Sequence, residues 1–131
     1  MKFEVKNIND LKSIIECIKK SNKKIILLNG TLGSGKTTLV QEFVKSFGVN
    51  ETVTSPTFAI QNNYGEIYHY DVYQKKDEFI SLGMIEEFEK EGFHLIEWGE
   101  EIEDVLKNFG FDYLTINISL KGDKREIECL N

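Results

Sequence analysis

The chain has 131 residues, 40% of them apolar and 29% charged, with a formal net charge of −6 at pH 7. That length fits one domain over 1–131, and the balance is that of an ordinary soluble globular protein. The negative charge argues against strong stand-alone binding of tRNA or DNA, because neutralising phosphates supplies most of that affinity. The longest aliphatic run, Ile25 to Leu28, is far too short to cross a bilayer, and Met1-Lys2-Phe3-Glu4 opens without an apolar signal region. The expected location is the cytoplasm, with no membrane partner.

In chain order, Phe3 and Val5 suggest a short opening strand, and Ile8, Leu11, Ile14, Ile15 and Ile18 recur at helical spacing, with Asn7 or Asn9 as cap. Ser21-Asn22 ends that helix. Lys23 to Asn29 reads as a strand apolar on both faces, as in a buried parallel sheet. A glycine-rich turn leads to a helix carrying Leu39, Val40, Phe43, Val44 and Phe47, closed by Gly48. Phe58 to Asn62 and Ile67 to Tyr70 flank a hairpin turn at Asn63-Tyr64-Gly65-Glu66. Lys75 to Glu91 looks helical, with Phe79, Leu82, Ile85 and Phe88 on one face, and Phe93 to Glu97 is another apolar strand. A short helix from Glu100 to Leu106 precedes the strand Tyr113 to Leu120, and Gly122-Asp123 turns into Arg125 to Leu130 as a hairpin partner at the sheet edge. The expected fold is α/β, with a mainly parallel central sheet flanked by helices and antiparallel strands at its margin.

Cys17 and Cys129 lie at opposite ends of the chain without metal-ligand spacing and read as two thiols. From Glu86 to Asp104 nine acids face a single basic residue, Lys90. That run is either a solvated acidic face or a docking surface for a basic protein.

Gly30-Thr31-Leu32-Gly33-Ser34-Gly35-Lys36-Thr37 meets G-x-x-x-x-G-K-[ST] at every required position, between an apolar strand and an amphipathic helix. Glycines let the backbone close around phosphate oxygens, and the helix start behind them adds its positive dipole end. Lys36 would reach the β- and γ-phosphates and the Thr37 hydroxyl would ligate magnesium, with Thr38 next in line on the nucleotide. No Asn-Lys-x-Asp guanine reader occurs, so ATP is expected rather than GTP. Arg125 is the only arginine, which argues against a self-contained kinase and for slow intrinsic hydrolysis that a partner accelerates.

Glu97 ends the strand Phe93-His94-Leu95-Ile96, where a Walker B-type acid would sit, and Asp71 similarly ends Ile67-Tyr68-His69-Tyr70. Spacing alone also allows each to be a capping or turn acid. Thr54-Ser55-Pro56-Thr57 lies where a γ-phosphate-sensing loop would, or is a simple polar turn. Trp98 reads as a core residue, a wall for the base or part of a partner surface, and His69 and His94 as packed strand residues.

Four blocks together carry a resemblance: Leu28 to Leu39, Val53 to Phe58, Tyr68-His69-Tyr70-Asp71-Val72-Tyr73, and Leu95-Ile96-Glu97-Trp98-Gly99-Glu100. The chain resembles the TsaE family, the bacterial ATPases of tRNA threonylcarbamoyladenosine biosynthesis. The resemblance implies a P-loop ATPase that binds ATP and magnesium in the cytoplasm. It would join two partner proteins that transfer a threonylcarbamoyl group onto the adenosine beside the tRNA anticodon, reaching tRNA only through that complex and resetting it by hydrolysis. Carried over, Lys36 and Thr37 serve phosphate and magnesium, and Thr54 is the switch-loop hydroxyl near the metal. Asp71 belongs to the metal shell, Glu97 is the Walker B-like acid and Trp98 its aromatic companion. Two departures stand out. Asp71-Val72-Tyr73-Gln74 replaces an Asp-Leu-Tyr-Arg pattern, and Trp98-Gly99-Glu100 replaces Trp-Pro-Glu, which is expected to loosen the backbone after the acid.

Overall fold

The computed structural model describes residues 1–56 and 60–131. Ile25–Asn29, the all-apolar run, is the second strand (β2) and lies at the centre of a seven-stranded sheet. The other strands are β1 (Lys2–Val5), β3 (Gln61–Tyr64), β4 (Ile67–Asp71), β5 (Phe93–Glu97), β6 (Leu114–Lys121) and β7 (Lys124–Leu130). Their order is β1-β7-β6-β2-β5-β4-β3. Strands β6, β2, β5 and β4 run parallel, while β3, β7 and β1 pair antiparallel at the two margins. Among the described residues the α-helices are α1 (Leu11–Lys20), α2 (Lys36–Lys45), α3 (Lys76–Ser81) and α4 (Glu103–Asn108). None is long and apolar enough to cross a membrane among the described residues.

Strand periodicity sorts the core into two layers, since successive side chains point to opposite faces. Ile26, Leu28 and Leu95 face α1 and α2, where Ile14, Ile18, Leu39, Val40 and Phe43 meet them. Ile25, Leu27, Ile96 and Tyr70 face the other way, onto Phe79, Phe88, Ile102 and Leu106.

Several elements differ from the sequence reading. A 3-10 turn at Ile8–Asp10 precedes α1, because Asn7 and Asp10 form a capping box there. The stretch 75–91 is not one helix. Gly83 adopts φ +70 after α3, so the chain restarts as a 3-10 segment at Met84–Glu89, and Leu82 points outward at 66% exposure. The short helix expected at 100–106 likewise divides into a 3-10 turn, Gly99–Glu101, and α4. The β3–β4 hairpin is tighter than expected: Tyr64 pairs with Ile67, leaving only Gly65 and Glu66 in the turn. Of the strand expected at 58–62, residues 58 and 59 lie outside the described residues. Strand β7 is not the edge, because β1 pairs along its outer side.

That packing also brings Cys17 on α1 to Cys129 on β7. Both are free thiols, with Sγ atoms 2.7 Å apart, and burial pushes Cys129 up to about 12. The acidic run divides as well: Glu97 leaves solvent, and Glu87 accepts from Lys90 and Gln61 at 2.9 Å each.

Candidate functional site

The phosphate loop joins the end of β2 to the start of α2. Gly33 and Gly35 take φ +75 and +110, conformations that L side chains rarely adopt. Gly30 is required for a different reason. A Cβ there would stand 2.6 Å from Ser34 Oγ and 2.8 Å from the Ile118 carbonyl oxygen, so close packing against β6 demands a glycine. Thr31, Leu32 and Gly33 form the exposed tip, whereas Ser34 is fully buried and its hydroxyl has no hydrogen-bond partner among the described residues. Helix α2 opens on Gly35 with no side-chain cap, which leaves its first-turn N–H groups to an anion.

Lys36 is only 5% exposed. Its ammonium donates to the carbonyls of Gly30 and Thr31, the latter at 3.0 Å, and lies 4.0 Å from the centre of the Trp98 ring. Burial lowers its pKa, against the opposing pull of Glu97, Glu100 and Asp71. A phosphate would compete with two neutral carbonyls for this cation, and a doubly charged oxyanion is the stronger partner. Glycine backbone, uncapped helix start and buried lysine therefore fit a nucleotide phosphate.

Strands β4 and β5 end in register, with Asp71 opposite Glu97. Alternation puts His69, Asp71, Leu95 and Glu97 on the face that carries α2. Glu97 is 4% exposed, and its Oε2 accepts from the Thr37 hydroxyl at 2.8 Å and from His69 Nε2 at 2.5 Å. A carboxylate only accepts, so Nε2 carries the proton. His69 is fully buried and its Nδ1 has no partner among the described residues, an omission that typically costs about 1–3 kcal/mol. The sequence treats His69 as packing; the structure puts it on the acid.

Asp71 is held separately. Its carboxylate accepts from Ser55 Oγ at 2.8 Å and from the Tyr73 N–H at 3.0 Å. So Ser55 meets this acid, while Thr54 is exposed and is engaged through its backbone, by Tyr64 Oη at 3.3 Å and Asn62 Nδ2 at 3.2 Å. Thr57 lies outside the described residues. Among the described residues no three His, Cys, Asp or Glu side chains converge as a metal cluster. Magnesium commonly keeps waters and phosphate oxygens as ligands, so Thr37 and one acid nearby are a sufficient protein share.

Trp98 follows the acid in a left-handed conformation, φ +63, with its N–H on the Leu28 carbonyl at 2.9 Å. Its ring stacks near Tyr73, 4.4 Å between centres, and beneath Lys36. It is thus part of the loop's wall. Gly99 is buried, and a Cβ there would stand 2.6 Å from Leu27 Cβ, so the segment lies tight against β2. Gln74 takes φ +54 and its N–H donates to Glu101 at 2.8 Å.

Arg125 was placed by the sequence only near the end of the chain. The β6–β7 hairpin returns it to the loop, where Nε donates to the Ser34 carbonyl at 2.5 Å. No local motif announces this, because the contact spans 91 residues.

Comparison with known proteins agrees with this architecture. The sequence model of the family described as threonylcarbamoyl adenosine biosynthesis protein TsaE matches residues 5–127. The tRNA threonylcarbamoyladenosine biosynthesis protein TsaE of Bacillus subtilis (strain 168) is 36% identical over 118 residues, covering 80% of this chain and 75% of that one. The protein of the same name from Haemophilus influenzae is 33% identical over 112 residues, covering 81% and 69%. The crystal structure of YdiB from Bacillus subtilis superposes with a TM-score of 0.73 at 30% identity, over 97% of this chain and 82% of the other.

Proposed function

The chain belongs to the TsaE family, and from that membership we propose that it is a slow, partner-stimulated ATPase in the formation of threonylcarbamoyladenosine in tRNA. One observation carries the hydrolytic reading: Thr37, at the start of α2, donates at 2.8 Å to the buried carboxylate of Glu97 beside Lys36. Hydroxyl, acid and ammonium stand together where a nucleotide's terminal phosphates would lie.

The roles follow from the side chains. Lys36 exchanges its carbonyl partners for β- and γ-phosphate oxygens, and the first-turn N–H groups of α2 hold the remaining charge. Thr37 would share in holding a magnesium ion brought in with ATP, which would supply positive charge against the phosphates. Thr37 would turn its hydroxyl from Glu97 toward that ion. Glu97 then orients the attacking water and accepts its proton through the oxygen that Thr37 and His69 do not engage. Asp71, tied to Ser55, links the acid shell to the loop after α2, and Trp98 walls the lysine.

Slowness has a physical basis. Arg125, the sole arginine, is committed to the Ser34 carbonyl, so the chain brings no mobile guanidinium to the transferring phosphate. Two partner proteins of the threonylcarbamoyl-transfer complex would complete the site in the cytoplasm and carry the tRNA.

The same tether of Arg125 favours a second reading, in which ATP binding assembles the complex and hydrolysis is incidental. Steady-state ATP hydrolysis with and without the two partners separates the readings. The ATPase reading expects the partners to raise a slow basal rate, and Glu97→Gln to remove about 10²–10⁴-fold of it. A flat rate despite association would leave ATP as an assembly signal.

A further inference from the structure

We propose that His69 is a positioning residue for Glu97, whose ring N–H keeps the carboxylate aimed at the mouth of the phosphate loop. This rests on the reading of Glu97 as the acid of an ATPase. A carboxylate that is 4% exposed needs donors, and Glu97 has two on one oxygen, Thr37 at 2.8 Å and His69 Nε2 at 2.5 Å. They are not equivalent. Thr37 is the hydroxyl a magnesium ion would claim, so its bond to Glu97 would be given up with the nucleotide site filled. His69 lies deeper on β4, opposite Leu95 and fully buried, and no bound ion competes for it. It is therefore the donor that holds the side chain while Thr37 is engaged elsewhere.

The other ring nitrogen strengthens the case. Nδ1 is buried without a partner among the described residues. A residue selected only to fill this space would be better apolar, since half of the imidazole's hydrogen-bonding capacity is wasted there. What an imidazole adds at this position is Nε2, which reaches the acid. Partners of this kind, one shell out from the reacting groups, typically change activity by about 10–100-fold when removed.

Two substitutions separate positioning from packing. The Gln side-chain nitrogen stands at the same remove from Cα as Nε2, whereas that of Asn corresponds to Nδ1. With the partner proteins present, His69→Asn is expected to lower kcat for ATP hydrolysis by about 10–100-fold with KM little changed, and His69→Gln to recover most of the loss. Equal rates for Asn, Gln and the natural residue would overturn the proposal. Nitrogen–proton spectra of the rings in the protein without nucleotide give a second readout, simplified by there being only two histidines. His69 is expected to carry its proton on Nε2, with a strongly downfield resonance that moves in Glu97→Gln. A ring protonated on Nδ1 alone, indifferent to Glu97→Gln, would also overturn it. If both His69 variants fail to fold, those spectra decide. Full turnover by Glu97→Gln would bring down the ATPase role of Glu97 and this proposal together. Loss of turnover in Glu97→Gln with full turnover in His69→Asn would bring down the role of His69 alone.

Discussion

The two faces of the sheet each bury one histidine completely, and the two rings are used in opposite ways. His94, on the face packed by Phe88 and Tyr70, has both nitrogens occupied: Nδ1 accepts from the Tyr70 hydroxyl at 2.6 Å and Nε2 donates to the Lys90 carbonyl at 2.9 Å. It also stacks on Tyr68, 4.8 Å between ring centres. His69, on the face of the phosphate loop, spends one nitrogen on a carboxylate and leaves the other unmet. A ring satisfied on both sides is explained by the fold itself. A ring satisfied only by an acid fits the positioning role proposed for it. The difference also extends to the neighbours. Lys36, Thr37, Glu97 and Trp98 hold one another in contacts that a ligand would rearrange, whereas Tyr70, Phe79, Phe88 and His94 form a closed aromatic cluster.

The largest expected effect short of removing the acid falls on the loop face. On the proposed nucleotide-binding reading, Lys36→Ala would remove a charge-assisted contact to phosphate worth about 1.5–3 kcal/mol, so ATP affinity should fall by about 10–150-fold. The melting temperature should hardly move, because the carbonyls of Gly30 and Thr31 are released near solvent at the loop. Titration of a folded variant by nucleotide fluorescence checks this. Unchanged affinity would make the loop face as structural as the aromatic face, and the contrast would collapse.

How much of this contrast was legible in the sequence depends on how local the cause is. The glycine-rich turn between β2 and α2 was legible because its conformation is set by backbone geometry within eight residues. Strand β5 was legible to the residue, since five positions from Phe93 to Glu97 end on an acid. The four-block resemblance placed Asp71 and Glu97 near the loop, and strand register puts them opposite each other. What failed was non-local. Arg125 and Cys129 reach their partners only after β7 pairs between β6 and β1. His69 and His94 both read as packing because each sits in an apolar strand, and only the register and the facing elements tell their partners apart. The helix expected over 75–91 failed for the opposite reason: apolar spacing continued through Gly83, but the backbone there is left-handed.

A smaller effect is expected on the aromatic face. His94→Leu leaves the Tyr70 hydroxyl without its acceptor, at a cost of about 1–3 kcal/mol. For a chain of this size that lowers the melting temperature by about 3–10 °C. Nucleotide affinity and partner-stimulated hydrolysis should stay at the natural level in the folded variant. A thermal melt paired with a hydrolysis assay reads both. Loss of hydrolysis without loss of stability would show that the two faces are coupled through β5, where His94 and Glu97 share a strand.

The smallest effect is a pH dependence belonging to His94. Burial lowers its pKa below the ordinary 6.5, against the Lys90 carbonyl and Glu87, which favour the charged ring, while the Lys90 ammonium disfavours it. In the unfolded chain the ring takes its proton at about pH 6.5, whereas in the fold it stays neutral to a lower pH. Between those two values the unfolded state binds more protons, so stability falls as pH falls, by at most about 1.4 kcal/mol per unit for one group. The contribution is complete above about pH 6.5 and is lost on acidification until the folded ring itself protonates. Carboxylates add their own dependence at lower pH, so the informative quantity is the difference from His94→Gln, which cannot take up that proton. The stability gap between the natural protein and that variant should narrow from pH 7.5 to 5.5 in urea unfolding. A gap that widened would mean that the fold welcomes the charged ring, and the aromatic face could then no longer serve as the inert half of the comparison.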